Sequence, residues 1–337
     1  MIRKIGVDLA ALAGLYLLLA LSLTFWPAHG FDHPAPAARS VSPDTAAFRP
    51  RAFVMRDGAR LYGREFDPAA GSGFGTTVLL VHGVGSDGAA LEPAAERLRD
   101  GSGARVVVLD LRGHGRSGGP RWNVAYAGQY EDDLADTLGA LRHEQPNGGL
   151  VLAAHSMGGG IALSYALKPT QPVDGYLLAA PLLGPTAPTA KQGGSAAGAG
   201  AQFALFHTPR LFGVLMFDLV GVHAFDRLPI LELNVPGRPT YGFAALQSMQ
   251  PNAPKDYRTA LKAIRQPLLL VAGSRDEAFN AAAYPGVIAA YSHGQAFIAP
   301  GATHNSVLID VAAGQRMDQW LHGLPRPTAL AAAHDNP

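Results

Sequence analysis

The sequence predicts an α/β protein in which a parallel β-sheet is covered by helices on both faces. Short, continuous apolar segments, among them 76–83, 104–111 and 149–156, alternate with segments of helical periodicity. Apolar strands that alternate with helices are typical of a parallel sheet buried on both faces. The alternation stops between Leu182 and Pro251, which indicates an insertion. A further uncharged, apolar run lies near the amino end.

The composition limits the classes of function that this chain can have. The 337 residues include 48% hydrophobic and 16% charged residues, which allows a large core. The net charge is +1 and no basic stripe is present, so nothing indicates nucleic-acid binding. The chain has no cysteine, which excludes disulfides and cysteine metal sites.

The amino end predicts a membrane anchor. Arg3 and Lys4 precede the uncharged run Leu9–Trp26, and about 18 to 20 apolar residues in a helix span a bilayer. The basic residues before the run place the remaining chain on the periplasmic side of the inner membrane. A cleaved secretory signal is the alternative, since Ala28 and Gly30 are small enough for a peptidase site. Both interpretations place the body outside the cytoplasm.

The organisation of the whole chain follows from these patterns. We expect an anchor or uncleaved signal at 1–30, a linker at 31–50, a core at 51–181 and 252–324, a cap at 182–251 and a disordered tail at 325–337. The cap contains the helix-like apolar run Phe203–Phe225, which should lie over the carboxyl ends of the strands. Its side chains pack on the core, or alternatively line an acyl-binding pocket or touch a membrane.

The stretch "LVLAAHSMGGGIALSYAL" predicts a strand, a sharp turn and a helix around Ser156. Such a turn projects a serine hydroxyl above the sheet and needs very small residues on either side. Gly158 meets this requirement, whereas Ala154 carries one extra methyl group. Ser156 also begins a helix, where free N–H groups favour developing negative charge. Ser156 is therefore the candidate nucleophile.

A serine nucleophile needs a base, and the base needs an orienting acid. Asp276 follows the apolar strand 266–274, and His304 follows the strand 294–301, both at the sheet edge expected for Ser156. The chain order Ser, Asp, His is one known solution.

Rival residues exist for both the acid and the base. Glu277 is adjacent to Asp276, and Asp310 lies out of order after His304. His293 precedes the last strand and so lies at the wrong edge. His155 and His82 are expected to be structural.

Two backbone amides are candidates for an oxyanion hole. The loop 82–86 follows the first buried parallel strand, and the N–H of Val84 is its most suitable donor. The N–H of Met157, directly after the nucleophile, would be the second donor.

Five segments in order resemble the α/β-hydrolase family, most closely its lysophospholipase and monoglyceride-lipase-like branch. They are 82–86 (HGVGS), 110–117 (DLRGHGRS), 154–159 (AHSMGG), 273–276 (GSRD) and 301–304 (GATH). The resemblance covers Phe53 to His322 and departs from the family at Ala154, where the family usually has glycine. It implies an eight-stranded, mostly parallel sheet, a helical lid, and neither cofactor nor metal.

The expected function is a membrane-tethered serine hydrolase that cleaves carboxylic esters of acyl-glycerol or lysophospholipid type. Aminopeptidase-like or thioesterase activity on the same triad is the enzymatic alternative. A hydrolase-like binding module without catalysis is the other. Epoxide hydrolase or dehalogenase chemistry would require an aspartate in place of Ser156. No nucleic acid or obligate protein partner is implied.

Overall fold

A computed structural model describes residues 2–35, 47–68, 75–191, 203–252 and 254–325, with the side chains of the first helix from Leu9 onward. The strands are β1 (Arg49–Val54), β2 (Arg60–Phe66), β3 (Thr76–Val81), β4 (Arg105–Leu109), β5 (Gly149–His155), β6 (Gly175–Ala179), β7 (Ala204–Phe206), β8 (Leu231–Leu233), β9 (Thr240–Tyr241), β10 (Leu268–Gly273) and β11 (Gln295–Ala299). The helices are α1 (Ile2–Thr24), α2 (Glu92–Ser102), α3 (Gln129–Glu144), α4 (Met157–Ala166), α5 (Thr208–Leu219), α6 (Phe243–Ser248), α7 (Tyr257–Ala263), α8 (Tyr284–Tyr291) and α9 (Val311–His322).

The main sheet has eight strands in the order β1-β2-β4-β3-β5-β6-β10-β11. β1 and β2 pair antiparallel, and β2 is antiparallel to β4. From β4 to β11 all pairs are parallel. The predicted fold class, a mostly parallel eight-stranded sheet with covering helices, is therefore confirmed.

Apolar residues of β3 explain why the sheet is covered on both faces. Leu79 and Val81 belong to one core cluster, whereas Val78 and Leu80 belong to the cluster on the opposite face. Successive side chains of a strand point to opposite faces, so a continuous apolar strand needs two layers of helices. All six residues of β3 are buried.

The inserted segment is less helical than the sequence predicted. It contains α5 and α6, but also a three-stranded sheet in the order β7-β8-β9. Within the run Phe203–Phe225, β7 comes first and α5 begins at Thr208, with a proline in its first turn. The alternation of buried Leu231 and Leu233 around Glu232 favours a strand at β8.

The amino-terminal helix packs on the inserted segment. Ala20 and Thr24 of α1 are fully buried, and the Tyr16 hydroxyl donates a hydrogen bond to the Met216 carbonyl at 2.6 Å. α5 approaches closely because Gly213 has no side chain: a Cβ there would lie 2.4 Å from the Thr24 nitrogen. Helix α1 is therefore joined to α5 along its carboxyl-terminal half.

The predicted membrane-spanning helix is not found. Within the described residues, no helix has the length and apolar character that crossing a membrane requires. The run predicted to be surrounded by lipid instead buries part of one side against α5. Of the predicted linker and tail, residues 36–46 and 326–337 lie outside the described residues, as do residues 192–202 of the insertion.

Candidate active site

Ser156 occupies the sharp turn between β5 and α4. Its φ of 54° and ψ of −118° lie in a region that non-glycine residues rarely adopt. Neighbouring strands hold this conformation: the Ser156 N–H donates to the Ala179 carbonyl at 3.0 Å, and the Ser156 carbonyl accepts from the Leu182 N–H at 2.9 Å. Such strain persists only where the surroundings determine it, and it is typical of functional sites.

The turn tolerates an alanine at 154 but crowds position 158. A Cβ on Gly158 would lie 2.7 Å from the His82 carbonyl oxygen and 2.9 Å from that of Val81. Ala154 is buried in the core cluster, where its methyl group packs with its neighbours. The steric demand of the turn therefore falls on Gly158, and Ala154 does not disturb the geometry around Ser156.

The structure brings Ser156, His304 and Asp276 into one hydrogen-bonded chain. His304 Nε2 lies 3.0 Å from Ser156 Oγ, and His304 Nδ1 lies 3.0 Å from Asp276 Oδ2. Asp276 follows β10 and His304 follows β11, so both reach the site from the carboxyl edge of the sheet. All three residues are buried. A hydroxyl, a base and an orienting carboxylate are thus arranged for nucleophilic catalysis.

The surroundings of Asp276 favour its ionised form. Burial by itself raises the pKa of this carboxyl, but the His304 ring and the amides of Ala278 and Phe279 outweigh it. Both amides donate to Asp276 Oδ1 at 2.8 Å. The pKa of Asp276 is therefore held below its ordinary value, and the carboxylate can stabilise a positively charged His304.

The rival acids and the rival base lie elsewhere. Glu277 Oε2 accepts a hydrogen bond from the backbone N–H of His304 at 3.0 Å and so holds the loop rather than the ring. Asp310 caps α9 by accepting from the Ala313 N–H at 2.9 Å. His293 is exposed just before β11.

The loop after β3 lies directly beside the nucleophile. A Cβ on Gly83 would lie 3.0 Å from Ser156 Cβ, so the backbone of this loop borders the hydroxyl. Met157 is the first residue of α4, where a helix leaves its N–H groups unsatisfied. The loop of Val84 and the start of α4 thus both adjoin Ser156. Their role as oxyanion donors stays a prediction.

Comparison with known proteins agrees with this architecture. The family model described as "Serine aminopeptidase, S33" matches residues 75–213. A monoacylglycerol lipase from Mycolicibacterium smegmatis is 33% identical over 91 residues, which are 27% of this chain and 32% of that protein. An esterase structure from Pyrococcus furiosus superposes with a TM-score of 0.55 at 17% identity, covering 87% of this chain and 99% of the other.

A thermophilic esterase from Thermogutta terrifontis superposes with a TM-score of 0.54 at 24% identity, over 81% of this chain and 98% of the other. The chain therefore has the α/β-hydrolase fold. Its sequence matches span about a third of the length of the curated relatives, 32% and 36% for two of them. At these sequence identities, the similarity to the solved structures shows the fold alone.

Two residues that bond the loops of the candidate site were not predicted from the sequence. The buried Tyr241 hydroxyl, on β9 of the insertion, accepts from the Gly85 N–H at 2.7 Å and lies 3.1 Å from His114 Nε2. Lys191 Nζ donates to the carbonyls of Asp276 and Glu277 at 2.9 and 2.8 Å. Both come from the insertion, whose sequence has no recognisable motif.

His155 is buried beside His304. Its Nε2–H donates to the His304 carbonyl at 3.0 Å, and the two rings lie 4.7 Å apart. Burial and the neighbouring His304 lower the pKa of His155 to about 3. A neutral His155 supports the backbone of His304 and stands apart from the reacting atoms.

Substitutions of the neighbouring carboxyls Asp276 and Glu277 should have different effects on activity. Asp276→Asn removes the charge that stabilises protonated His304, so kcat should fall by about 10³- to 10⁴-fold. Glu277→Gln keeps an oxygen that accepts from the His304 N–H, so kcat should change only a few-fold. Steady-state ester hydrolysis measures both. Equal losses in the two variants would contradict the assignment of Asp276 as the orienting acid.

The low pKa of the buried His155 should make the free energy of unfolding depend on pH. Because its folded pKa is about 3 and its ordinary value is 6.5, the unfolded state binds a proton between these values that the folded state does not. The contribution to stability is complete above pH 6.5 and is lost as pH falls toward 3, by up to about 1.4 kcal/mol per pH unit.

Urea unfolding between pH 7.5 and 4.5 tests this contribution. The free-energy gap between the wild type and His155→Gln should shrink as pH falls, whereas exposed His293→Gln should track the wild type. A constant gap for His155→Gln would show that the ring is not held neutral.

Proposed function

We propose that this protein is a serine hydrolase that cleaves carboxylic esters through an acyl-enzyme intermediate. The observation that carries the proposal is the continuous chain from Ser156 Oγ through His304 to Asp276, with 3.0 Å at each link. Its position at the carboxyl edge of a parallel sheet, on a strained turn, is what nucleophilic attack requires. The family match and the lipase relative support the same reaction class.

The reaction follows from this geometry. His304 Nε2 takes the proton of Ser156 as Oγ attacks the ester carbonyl, and Asp276 stabilises the imidazolium that forms. The tetrahedral oxyanion accepts hydrogen bonds from the Val84 and Met157 amides, and loss of one such donor costs about 3 to 4 kcal/mol. His304 then protonates the leaving alcohol. Water activated by His304 hydrolyses the acyl-serine.

We propose an acyl-glycerol or lysophospholipid type of ester as substrate because the surroundings of the site are apolar. Side chains of the insertion reach the loop beside Ser156: Leu233 and Val235 would lie 3.0 and 3.7 Å from a Cβ on Gly85. The Phe279 ring packs edge-on against His304 at 5.3 Å. Acyl pockets are mostly apolar with few polar groups.

An aminopeptidase is the second candidate, since the matching family model carries that description. The same triad can cleave an amide or a thioester. Loss of catalysis, with the fold kept as a binding module, is the third alternative, and the assembled hydrogen-bond chain favours catalysis over it.

A fluorophosphonate probe tests the proposed nucleophile. It should label the wild type with one adduct per chain, and Ser156→Ala should abolish labelling. Ser164→Ala, on the same helix α4, is the matched control and should label like the wild type. Labelling that persists in Ser156→Ala, or no labelling of the wild type, would refute the serine-hydrolase assignment.

The substrate class is tested with the same proteins. We expect p-nitrophenyl esters of medium and long acyl chains to exceed both p-nitrophenyl acetate and aminoacyl p-nitroanilides in kcat/KM. Preference for an aminoacyl amide would instead favour the aminopeptidase, and would leave the triad intact as the shared machinery.

We further propose that α1 and α5 hold the protein at a membrane surface, with the body outside the cytoplasm. Several large apolar side chains on these helices are more than half exposed, and they are Leu9, Leu12, Leu15, Leu18, Leu19, Phe212 and Leu219. Exposed apolar side chains concentrated on two packed helices are typical of an interaction site. The basic Arg3 and Lys4 followed by an apolar run resemble the start of an export signal, and a secreted form after signal cleavage is the alternative.

Flotation with phosphatidylglycerol–phosphatidylethanolamine vesicles tests the membrane proposal. The full chain should float with the vesicles, and the double variant Leu12→Glu, Leu15→Glu should remain in the soluble fraction. Val54→Glu, an equally exposed apolar position on β1, is the control and should float. Equal flotation of all three proteins would contradict the proposal. Protease accessibility in spheroplasts, but not in intact cells, tests the orientation.

A further inference from the structure

A group of metal-ligating side chains lies in the insertion, outside the triad. Asp218 is in the last turn of α5, and His223 and Asp226 are in the loop that follows. His223 Nδ1 lies 3.2 Å from Asp218 Oδ1 and 3.1 Å from Asp226 Oδ2. One ligand atom from each residue lies within 4.8 Å of the others. Two carboxylates and an imidazole thus converge on one point.

Asp226 is the unusual member of this group. It is only 6% exposed, and within the described residues its Oδ1 has no hydrogen-bond partner. A buried carboxylate oxygen without a partner is costly. The other oxygen of this carboxylate, Oδ2, faces His223, so a cation bound by both oxygens would supply the interaction that Oδ1 lacks.

We propose that Asp218, His223 and Asp226 form a binding site for a zinc-type divalent cation. Zinc bonds of about 2.0 to 2.2 Å to nitrogen and oxygen place neighbouring tetrahedral ligands about 3.3 to 3.6 Å apart, slightly farther than the separations found here. The two separations from His223 Nδ1 are 3.2 and 3.1 Å. The His223 side chain is 62% exposed, so water can complete the coordination.

The ligand set distinguishes among cations. Calcium takes six to eight oxygen ligands, and magnesium prefers carboxylates and water. An imidazole with two carboxylates suits zinc and its first-row neighbours. We therefore expect zinc to bind more tightly than calcium or magnesium.

The position of the site suggests what a cation would do. Phe225, between His223 and Asp226 in the chain, packs against Phe25 and Phe217 with ring centroids 5.7 and 4.7 Å apart. The Asp226 carbonyl accepts from the Ala244 N–H in α6 at 3.3 Å. A cation would therefore link the end of α5 to the loop of His223 and Asp226. This link would make the insertion more rigid.

The test uses the tag-free full chain after removal of metals with a chelator. Calorimetric titration should give one zinc ion per chain, and zinc should raise the unfolding temperature. Cobalt in place of zinc should give the visible absorption of a low-symmetry site. His223→Ala removes a direct ligand and should weaken zinc binding by at least about a hundredfold, since loss of an outer-shell partner alone costs up to that much.

Matched variants separate zinc binding at this site from zinc binding at surface histidines or at the triad. His293→Ala removes an equally exposed histidine and should bind zinc like the wild type. Asp218→Asn is a second ligand variant whose partly exposed side chain allows folding if Asp226→Asn does not. Ser156→Ala should bind zinc normally, because the site is independent of the triad. Undiminished binding in His223→Ala, or no binding by the wild type, would overturn the proposal and leave His223 as an ion-pair partner of the two aspartates.

Discussion

The strained turn at Ser156 is the constraint on which the site depends. The φ of 54° at Ser156 persists because two backbone hydrogen bonds hold the residue. Its N–H donates to the Ala179 carbonyl of β6, and its carbonyl accepts from the Leu182 N–H in the segment after β6. The turn aims Oγ above the sheet, where His304 reaches it from the end of β11. The carboxyl ends of parallel strands lie at one edge of the sheet. The segments after β5, β10 and β11, which are distant in the sequence, therefore meet at that edge.

Side chains of the insertion form hydrogen bonds with the loops of the candidate site. Tyr241 bonds the loop beside Ser156, and Lys191 bonds the two carbonyls of the acid loop. The insertion also carries α5, on which α1 packs. The insertion thus contacts both the amino-terminal helix and the backbone of the loop beside Ser156.

The core and the meeting of Ser156, Asp276 and His304 at one sheet edge could be predicted because each has a local signal. Continuous apolar strands mark the sheet, and Ser156, Asp276 and His304 each follow such a strand. The insertion lacks such a signal, since its strands are two or three residues long and are fixed by tertiary contacts. For the same reason Tyr241 and Lys191 were missed. The membrane-spanning interpretation of α1 was based on an apolar count, which cannot show that Ala20 and Thr24 pack on a protein helix.

A pre-steady-state burst experiment tests the central claim most directly. Rapid mixing with excess p-nitrophenyl butyrate should release one nitrophenolate per chain in a fast phase, followed by slower turnover. Acid quenching during that phase, with peptide mapping, should find the butyryl group on Ser156. Butyryl attached to another residue, or hydrolysis with neither a burst nor an acylated peptide, would contradict the account.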